Sequence, residues 1–360
     1  MSQHNEQPSG ERDPLEPEVK QIVRAAGNES LAPDEKAELW ERIETSVSER
    51  QPVYRRLWWK VAAAVIVLVA AGWWMLRQKP VAEKGVLAFA QQQQPVADTS
   101  GETRLVLGNN RQVTLSGASA SLTYSQNGTH VMVNDNEQYQ QEGGEEIQYN
   151  TLIVPYGRRA KITMEDGTEV WLNAGSRMVY PVVFDGKSRE VFLEGEAYFE
   201  VVGREGHPFF VYTSQLKTAV LGTAFNISAY ADDAEQTVVL IQGSVKVHAN
   251  VGAAQQLLTP GYKAGYSVID HNISKEQVNT MIYTAWKEGR LMFEHAPLQH
   301  ILKKLSRYFN IRITTESNGQ STFSGDLDLA DDIGHVLDAV SVSTGMKYEH
   351  TTEGIILKKK

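Results

Sequence analysis

The sequence predicts a multidomain chain with a short α-helical N-terminal segment, a single transmembrane helix, an all-β central domain and a small α+β C-terminal domain. Three observations predict this organisation. Residues 55–79 form an apolar block, RRLWWKVAAAVIVLVAAGWWMLRQK; a period-two alternation begins near residue 103; and mixed strand and helix patterns begin at residue 290. A chain of 360 residues is long enough for several folded units with linkers between them.

These patterns divide the chain into six segments. We predict N-terminal helices within residues 1–56, the transmembrane helix at 57–76, a linker at 77–102, the β domain at 103–270, a connector at 271–289 and the α+β domain at 290–360.

The N-terminal segment contains two short amphipathic patterns. The first runs from Leu15 to Ala26. The second begins at Pro33, and its apolar face includes Leu39, Trp40 and Ile43. Two short helices cannot bury their apolar faces alone, so the faces need a partner. They either pack on each other or on the membrane surface, or they bind a cytoplasmic protein by helix-in-groove contacts centred on Trp40. Acidic residues outnumber basic residues in this segment, which favours a protein partner over an anionic membrane surface.

The apolar block predicts a membrane-spanning helix. Residues 61–76 carry no charge, and with residues 57–59 they give about 20 residues and about 30 Å of helix, enough to cross a hydrocarbon core. Side chains suited to the membrane interface lie near the two ends of the block. We predict that they anchor it in the lipid bilayer: Trp58, Trp59, Lys60, Trp73 and Trp74.

A cleavable signal peptide is the main alternative for this block. Its support is the triplet Ala88-Phe89-Ala90, which has the A-x-A form of a cleavage site. The alternative fails because the apolar run is too long, begins after some fifty polar residues and is separated from the triplet by Arg77, Lys79 and Lys84.

Basic residues predict the orientation of the span. Five precede it closely, Arg42, Arg50, Arg55, Arg56 and Lys60, and three follow it, Arg77, Lys79 and Lys84. This bias predicts a cytoplasmic N-terminus. The absence of cysteine suits an oxidising compartment for the C-terminal body.

The linker, with Gln91 to Gln94 and Pro95, has the composition of a flexible spacer. The β region after it contains a weak internal repeat with a shift of 57 residues, which aligns LVLGNNRQVTLSGAS at 105 with ITMEDGTEVWLNAGS at 162. Many short strands without helices between them predict a β sandwich or a rolled sheet in two layers. Gly195, Gly222 and Gly243 predict bulges or close backbone approaches.

The C-terminal pattern alternates strands and helices. RLMFE at 290, IRITTES at 311 and STFSGDL at 321 are predicted strands, APLQHILKKLSRYF and DDIGHVLDAVSVSTG are predicted helices, and MKYEH with GIILKK predicts a terminal hairpin. We predict the helical leucines to be core residues, and no ligand site follows from them.

The composition and motifs disfavour enzymatic and nucleic-acid-binding functions. The formal net charge is −9, and no basic patch with interleaved aromatic residues is present, so no direct nucleic-acid binding is expected. The histidine spacing predicts no metal site, and no cofactor motif is found. Glu194 and Glu196 lie two residues apart on a predicted strand, which predicts that they share one face, but no sugar cleft is predicted around them, so glycoside hydrolysis is not expected.

Several ordered motifs between residues 100 and 270 resemble one known family. YGRRAKITMEDGTEVWLNAGSRMVYP, REVFLEGEAYFEV, HPFFVYT, VLGTAFNISAY, LIQGSVKV and LTPGYKA resemble, in order and spacing, the FecR family of membrane-anchored sigma-factor regulators. GNESLAPDEKAELWERI is similar to that family's anti-sigma helices. The last 70 residues or so are similar to the C-terminal domain of many FecR-like proteins of the Bacteroidetes type, and to a short domain of secretins and TonB-dependent transducers.

This resemblance implies a function and partners. It implies an inner-membrane, single-pass anti-sigma factor whose N-terminal helices bind an extracytoplasmic-function sigma factor, with Leu39, Trp40 and Ile43 as anchors. The C-terminal body would lie in the periplasm and receive a signal from the periplasmic signalling domain of a TonB-dependent outer-membrane transducer. Release would require proteolysis within or beside the span, which implies an intramembrane protease as a further partner.

The resemblance also singles out one dipeptide, although no enzyme activity is otherwise expected. Some FecR-like proteins cleave themselves at a Gly-Thr pair that matches Gly222-Thr223. Attack of the Thr223 hydroxyl on the Gly222 carbonyl would give an N-to-O acyl shift. The alternative is that Gly222 is a bulge and Thr223 an ordinary strand residue. For the whole protein, the rival hypothesis is a membrane-anchored periplasmic carbohydrate-binding or adhesion protein.

Overall fold

The computed structural model describes Asp34, Ala37, Glu38 and Glu41, and residues 85–359 apart from 94–100, 142–146, 185, 317–320 and 331. The chain divides into two compact units, Met1–Val81 and Ala82–Lys360. In the first unit, the four described positions are helical and exposed. The predicted helix at Leu15 to Ala26 and the predicted span at 57–76 lie outside the described residues.

The second unit begins with helix α1, Val86–Gln92, and continues with a β domain of 18 strands. The strands are β1 Thr103–Val106, β2 Gln112–Leu115, β3 Ser119–Tyr124, β4 His130–Val133, β5 Glu137–Gln140, β6 Tyr149–Val154, β7 Arg159–Thr163, β8 Glu169–Leu172, β9 Ser176–Pro181, β10 Arg189–Glu200, β11 Phe209–Tyr212, β12 Leu216–Val220, β13 Ala224–Ala229, β14 Glu235–Gln242, β15 Val245–Ala249, β16 Gln255–Leu258, β17 Tyr262–Ser267 and β18 Ile273–Gln277.

The 18 strands form one continuous sheet that curls into two layers. Layer A has the order β2-β1-β6-β9-β10-β11-β12-β15-β16. Layer B has the order β5-β4-β3-β7-β8-β10-β13-β14-β17-β18. Inward-facing apolar side chains of both layers make one core, as alternation along a half-buried strand requires. The predicted two-layered or rolled β architecture is therefore confirmed.

Strand β10 joins the two layers. Its first half pairs with β9 and β11 in layer A, and its second half pairs with β8 and β13 in layer B. Gly195 stands where the strand changes layer, with a φ of 93°. A Cβ there would lie 2.5 Å from the Ser176 Oγ, so glycine is needed both for the dihedral angle and for the close approach.

Most other crossings between the layers also carry a glycine with positive φ. They are Gly117 between β2 and β3, Gly157 between β6 and β7, Gly175 between β8 and β9, Gly243 between β14 and β15, and Gly261 between β16 and β17. The chain also crosses between β5 and β6, between β10 and β11 and, at residues 221–223, between β12 and β13. The interpretation of Gly222 and Thr223 as part of one continuous strand is therefore wrong, because β12 ends at Val220 in layer A and β13 begins at Ala224 in layer B.

The weak internal repeat corresponds to a structural repeat. Leu105 pairs with Val113 in the β1–β2 hairpin, and Ile162 pairs with Val170, 57 positions later, in the β7–β8 hairpin. Both turns close with equivalent backbone bonds, from the Leu107 nitrogen to the Arg111 oxygen at 2.9 Å and from the Met164 nitrogen to the Thr168 oxygen at 2.8 Å. The first hairpin belongs to layer A and the second to layer B.

The predicted connector, residues 271–289, contains β18, which belongs to the β domain, and then a short helix α2, Met281–Thr284, and a 3₁₀ turn, Ala285–Glu288. The C-terminal module follows with β19 Arg290–Pro297, α3 Leu298–Phe309, β20 Ile313–Thr315, β21 Thr322–Asp328, α4 Ile333–Thr344, β22 Met346–Thr351 and β23 Gly354–Lys359. One small sheet pairs β19 with β21, and another has the order β20-β23-β22. Helix α4 is capped by the Asp332 side chain and ends at Gly345, which has a φ of 70°.

Helix α1 corrects the prediction of an entirely flexible linker at 77–102. Val86 and Ala90 are buried against Val179 and Phe192 on the outer face of layer A. Apolar residues at positions 86, 87, 89 and 90 have the spacing of one helical face. The pattern is short, and the Gln and Pro residues that follow it favour a flexible spacer.

Candidate functional site

The predicted sigma-factor-binding helix is represented by four described positions. Asp34, Ala37, Glu38 and Glu41 are all helical and all exposed, which matches the predicted helix from Pro33. Their spacing of three and four residues places them on one polar face. The predicted anchors Leu39, Trp40 and Ile43 lie outside the described residues.

The predicted membrane anchors Trp58, Trp59, Lys60, Trp73 and Trp74 also lie outside the part of the chain that the structure describes. Among the residues it does describe, no helix has the length and apolarity needed to cross a membrane.

The Gly222-Thr223 dipeptide lies in the crossing between β12 and β13. The Thr223 nitrogen donates to the Val201 carbonyl at 3.2 Å, and the Val201 nitrogen donates to the Thr223 carbonyl at 3.0 Å. The Thr223 hydroxyl is buried and donates to the Ser244 carbonyl at 3.1 Å. The dipeptide is thus a link between layers whose hydroxyl is held in one orientation.

Two further glycines crowd this link. A Cβ at Gly222 would lie 2.7 Å from the Gly203 Cα, and a Cβ at Gly243 would lie 2.8 Å from the Gly222 carbonyl oxygen. The predicted close backbone approach at Gly222 and Gly243 is therefore confirmed. Chemically, the link supplies an oriented hydroxyl next to a peptide carbonyl in a crowded, glycine-lined site.

The β domain and the C-terminal module pack on each other through an aromatic contact. Trp286, in the 3₁₀ turn, is buried in the core of the module together with Tyr198 of β10. Its indole nitrogen donates to the Asn226 Oδ1 at 3.2 Å. Arg159 of β7 donates to the Trp286 carbonyl at 2.9 Å, so both ends of this residue bind the β domain.

Paired charges also hold the β domain against the C-terminal module, at a contact region that we call the junction. Arg307 of α3 is buried and binds Asp232 and Asp233, in the turn after β13, with the closest nitrogen-to-oxygen distances at 2.7 Å. Lys303 binds the same two carboxylates at 2.9 and 2.7 Å. The Arg307 guanidinium also lies 3.6 Å above the Tyr230 ring centroid.

The pKa values at this junction reflect strong pairing. Burial alone would raise the pKa of Asp233, but hydrogen bonds from Arg307 and Lys303 lower it below the ordinary value of 3.8. Burial would likewise raise the pKa of Asp232, and Lys303 and Arg307 lower it. Burial would lower the pKa of Arg307, and the hydrogen bond to Asp233 and the nearby negative charges raise it. The charged forms are therefore stabilised on both sides of the junction.

Two open clefts border the junction, and the charges in them are largely paired. The first has a volume of about 760 Å³ and contains Lys161 and Lys287, which bind Glu169 at 2.8 Å and Glu200 at 3.6 Å respectively. Both ammonium groups lie 4.6 Å from the Trp171 ring centroid. The second cleft, of about 750 Å³, contains the Arg307-binding carboxylates and Lys303. Within the described residues, no group of three acidic or histidine side chains is arranged to hold a metal ion.

Glu194 and Glu196 contact different residues. Glu194 accepts from the Arg177 Nε at 2.7 Å in layer A. Glu196 is buried and accepts from Asn173 at 2.8 Å and from Asn226 at 3.1 Å in layer B. The expectation that the two carboxylates share one face is wrong, because the turn of the strand at Gly195 separates them.

The interdomain residues were not identified from the sequence. Arg307 lies within a predicted helix, and Trp286 lies in the predicted connector, but their partners are 74 and 60 residues away in the chain. A large aromatic residue inside a predicted connector was the one available signal, because such side chains are usually buried.

Comparisons with known proteins agree with this architecture. A family model described as FecR protein matches residues 150–246, and a second, described as FecR, C-terminal, matches residues 290–357. A crystal structure, at 1.65 Å, of a candidate anti-sigma factor from Parabacteroides distasonis ATCC 8503 has 33% sequence identity and a TM-score of 0.55, and the match covers 58% of this chain and 99% of that one. A 2.50 Å structure, also of a candidate anti-sigma factor from that organism, has the same identity and TM-score and covers 59% and 99%. No curated protein matches the chain.

Proposed function

The chain belongs to the FecR family, and from this premise we propose that it is a single-pass membrane anti-sigma factor. It holds an extracytoplasmic-function sigma factor through its N-terminal helices and releases it in response to a periplasmic signal. The observation that carries the proposal is the 33% identity to a candidate anti-sigma factor over 99% of that protein's chain.

The N-terminal helix supplies the sigma-binding surface in this proposal. The exposed positions 34, 37, 38 and 41 carry three acidic residues and an alanine, which form its polar face. At 3.6 residues per turn, the helix predicted from Pro33 would carry Leu39, Trp40 and Ile43 on the side opposite this polar face. A tryptophan flanked by two branched aliphatic residues is suited to anchor a helix in a groove of the sigma factor.

The proposed location is the inner membrane, with the N-terminus in the cytoplasm and the C-terminus in the periplasm. The support comes from the sequence: an uncharged stretch at 61–76, tryptophans near both ends of the predicted span, and more basic residues on its N-terminal side than after it.

The β domain and the C-terminal module receive the signal in this proposal. The partner is the periplasmic signalling domain of a TonB-dependent outer-membrane transducer. The close packing at Trp286 and Arg307 supports a body that moves as one piece when the partner binds. Since one rigid helix transmits little conformational change, release of the sigma factor requires cleavage within or beside the span, by an intramembrane protease.

Self-cleavage at Gly222-Thr223 is a second processing step within this proposal. The Thr223 hydroxyl attacks the Gly222 carbonyl, so that the amide is replaced by an ester and the Thr223 amine is freed; water then hydrolyses the ester, which leaves a carboxylate on Gly222 and restores the Thr223 hydroxyl. The oriented Thr223 hydroxyl and the crowded glycines around the link support it. The wild-type chain is expected to give two fragments on a denaturing gel, and Thr223→Ala is expected to give one full-length band. A single full-length band from the wild type removes this step.

The central test is co-purification of the full chain with the sigma factors of its host. We expect the chain to retain one such factor, and Trp40→Ala to weaken retention at least tenfold because a buried anchor is lost. Glu38→Ala is the matched control, since Glu38 lies on the exposed face of the same helix. If no sigma factor binds the wild type, or if both variants bind alike, the proposed interface is incorrect.

A further inference from the structure

Helix α1 is held against the outer face of layer A by a small, separate set of contacts. Val86 and Ala90 are each 1% exposed and pack on Val179 and Phe192. The Phe89 ring lies 4.9 Å from the Tyr149 ring, centroid to centroid. The Gln93 side chain, just after the helix, accepts from the Thr151 hydroxyl at 3.0 Å. This cluster is distinct from the main core between the two layers.

The helix has little intrinsic stability. It has seven residues, no side-chain cap at its start and no acidic residue in its first turn. A helix of this length does not persist in water by itself, so it remains helical only while docked. Its contacts therefore form a unit that can open without unfolding the sandwich.

Arg177 lies beneath the C-terminal end of α1 and makes the docked state marginal. Its Nη2 donates to the Ala90 carbonyl at a long 3.4 Å, while its Nε binds Glu194 at 2.7 Å. Its Nη1 is buried without a hydrogen-bond partner among the described residues. A buried donor that lacks a partner costs free energy, and this cost is recovered when α1 leaves and water reaches the guanidinium.

Because α1 lies between the predicted membrane span and the folded body, its release would expose this part of the chain to proteases. Val86 comes ten residues after Leu76, where the predicted span ends, so α1 is the first structured element described after it. Proteases bind their substrates in an extended conformation, and a docked helix cannot adopt it. The segment contains Ala88-Phe89-Ala90, whose small and aromatic side chains suit a protease cleft once the backbone is extended.

We propose that α1 is a releasable clasp that protects the chain at residues 85–93 from proteolysis on the outer side of the membrane. In the docked state, the segment is helical and covered. In the released state, it is extended, and a protease hydrolyses a peptide bond within it: one water is consumed, and a new carboxylate and a new amine are formed. The proposal rests on the proposed function, because the cleaved bond separates the body from the membrane span.

Thiol labelling tests the docking directly, because the chain contains no cysteine. Ala90→Cys places a thiol on the buried side of α1, and Gln91→Cys places one on the exposed side, one residue away. In the full-length protein in membranes, we expect maleimide to label position 91 at least tenfold faster than position 90. Equal labelling rates at the two positions overturn the proposal.

Limited proteolysis tests the protection. Ala90→Asp introduces a carboxylate into the apolar contact with Val179 and Phe192, and Gln91→Asp adds the same charge on the solvent side. With a broad-specificity serine protease, we expect cleavage within residues 85–93 to be at least tenfold faster in Ala90→Asp than in Gln91→Asp or the wild type, as mapped by mass spectrometry. The thermal midpoint of the β domain should be the same in all three, which excludes general unfolding.

If Ala90→Asp is cleaved in this segment no faster than Gln91→Asp, the clasp is rejected. Retention of a sigma factor by the same full-length proteins is measured in parallel. If the proteolysis test rejects the clasp while the wild type still binds a sigma factor, only the present inference is rejected. If the wild type binds no sigma factor, the proposed function is rejected.

Discussion

At the scale of single residues, the pairing of Arg307 with Asp232 and Asp233 joins the C-terminal module to the β domain. The arginine is 5% exposed, and its two partners are supplied by the β domain, so the contact fixes the C-terminal module in place. Without Arg307, Asp232 and Asp233 keep Lys303 as a cationic partner, but their charge is only partly compensated. Breaking a buried ion pair in this way costs more than the pair itself contributes.

We predict that Arg307→Ala lowers the free energy of unfolding by about 3 kcal/mol. The matched control is Arg312→Ala, because Arg312 pairs with Glu353 at 3.1 Å but both side chains are more than two-thirds exposed. The control should change stability by less than about 0.5 kcal/mol. Urea unfolding followed by tryptophan fluorescence measures both, and equal effects would show that the junction does not depend on this pair.

The same carboxylates predict a dependence on pH. Their folded-state pKa values are lowered below 3.8, so their stabilising contribution is present above that value and is lost as pH falls through the lower folded-state pKa. We expect Asp233→Asn to be less stable than the wild type by a constant amount at neutral and mildly acidic pH, with the difference shrinking below pH 3.8. Unfolding midpoints between pH 7 and pH 3 test this, and a difference that is independent of pH would contradict the pairing.

At the scale of elements, the sandwich depends on strands that pass between its layers. The β10 crossing at Gly195 brings the backbone within contact distance of Ser176, and the other crossings place glycines at similar turns. Because β10 pairs with four neighbours, two in each layer, a change at its centre affects both sheets.

We predict that Gly195→Ala destabilises the protein by about 3 kcal/mol, since the new methyl group meets Ser176 and the residue has a positive φ. Gly206→Ala is the control, because Gly206 also has a positive φ, of 73°, but has open space around its Cβ position. The control should cost about 1 kcal/mol. Thermal unfolding of both variants separates the cost of the clash with Ser176 from the cost of the positive φ. Equal losses of stability would mean that the crossing tolerates a side chain.

The elements also show what the sequence predicts well. The weak sequence repeat at 105 and 162 corresponds to two hairpins of equivalent register, because alternating apolar residues and turn residues are local signals. The C-terminal helices were predicted from their leucine spacing, and α4 ends at the predicted Gly345. In contrast, α1 was missed because its stability comes from docking on Val179 and Phe192, which are distant in sequence. The partners of Arg307 and Trp286 were missed for the same reason.

At the scale of the whole molecule, the proposed function requires a bilayer between the N-terminal helix and the folded body. The described residues supply a helix with an exposed acidic face before the predicted span, and a docked two-part body after it. Recognition on one side of the membrane can alter binding on the other side only if these parts lie in different compartments.

Labelling with a membrane-impermeant maleimide tests this arrangement most directly, since every introduced cysteine is the only one in the chain. Glu38→Cys lies on the exposed face of the N-terminal helix, and Val342→Cys lies on α4, where the native side chain is 86% exposed. In intact spheroplasts, we predict that position 342 is labelled and that position 38 is labelled only after lysis. Labelling of position 38 in intact spheroplasts, with position 342 protected until lysis, would contradict the proposed anti-sigma mechanism.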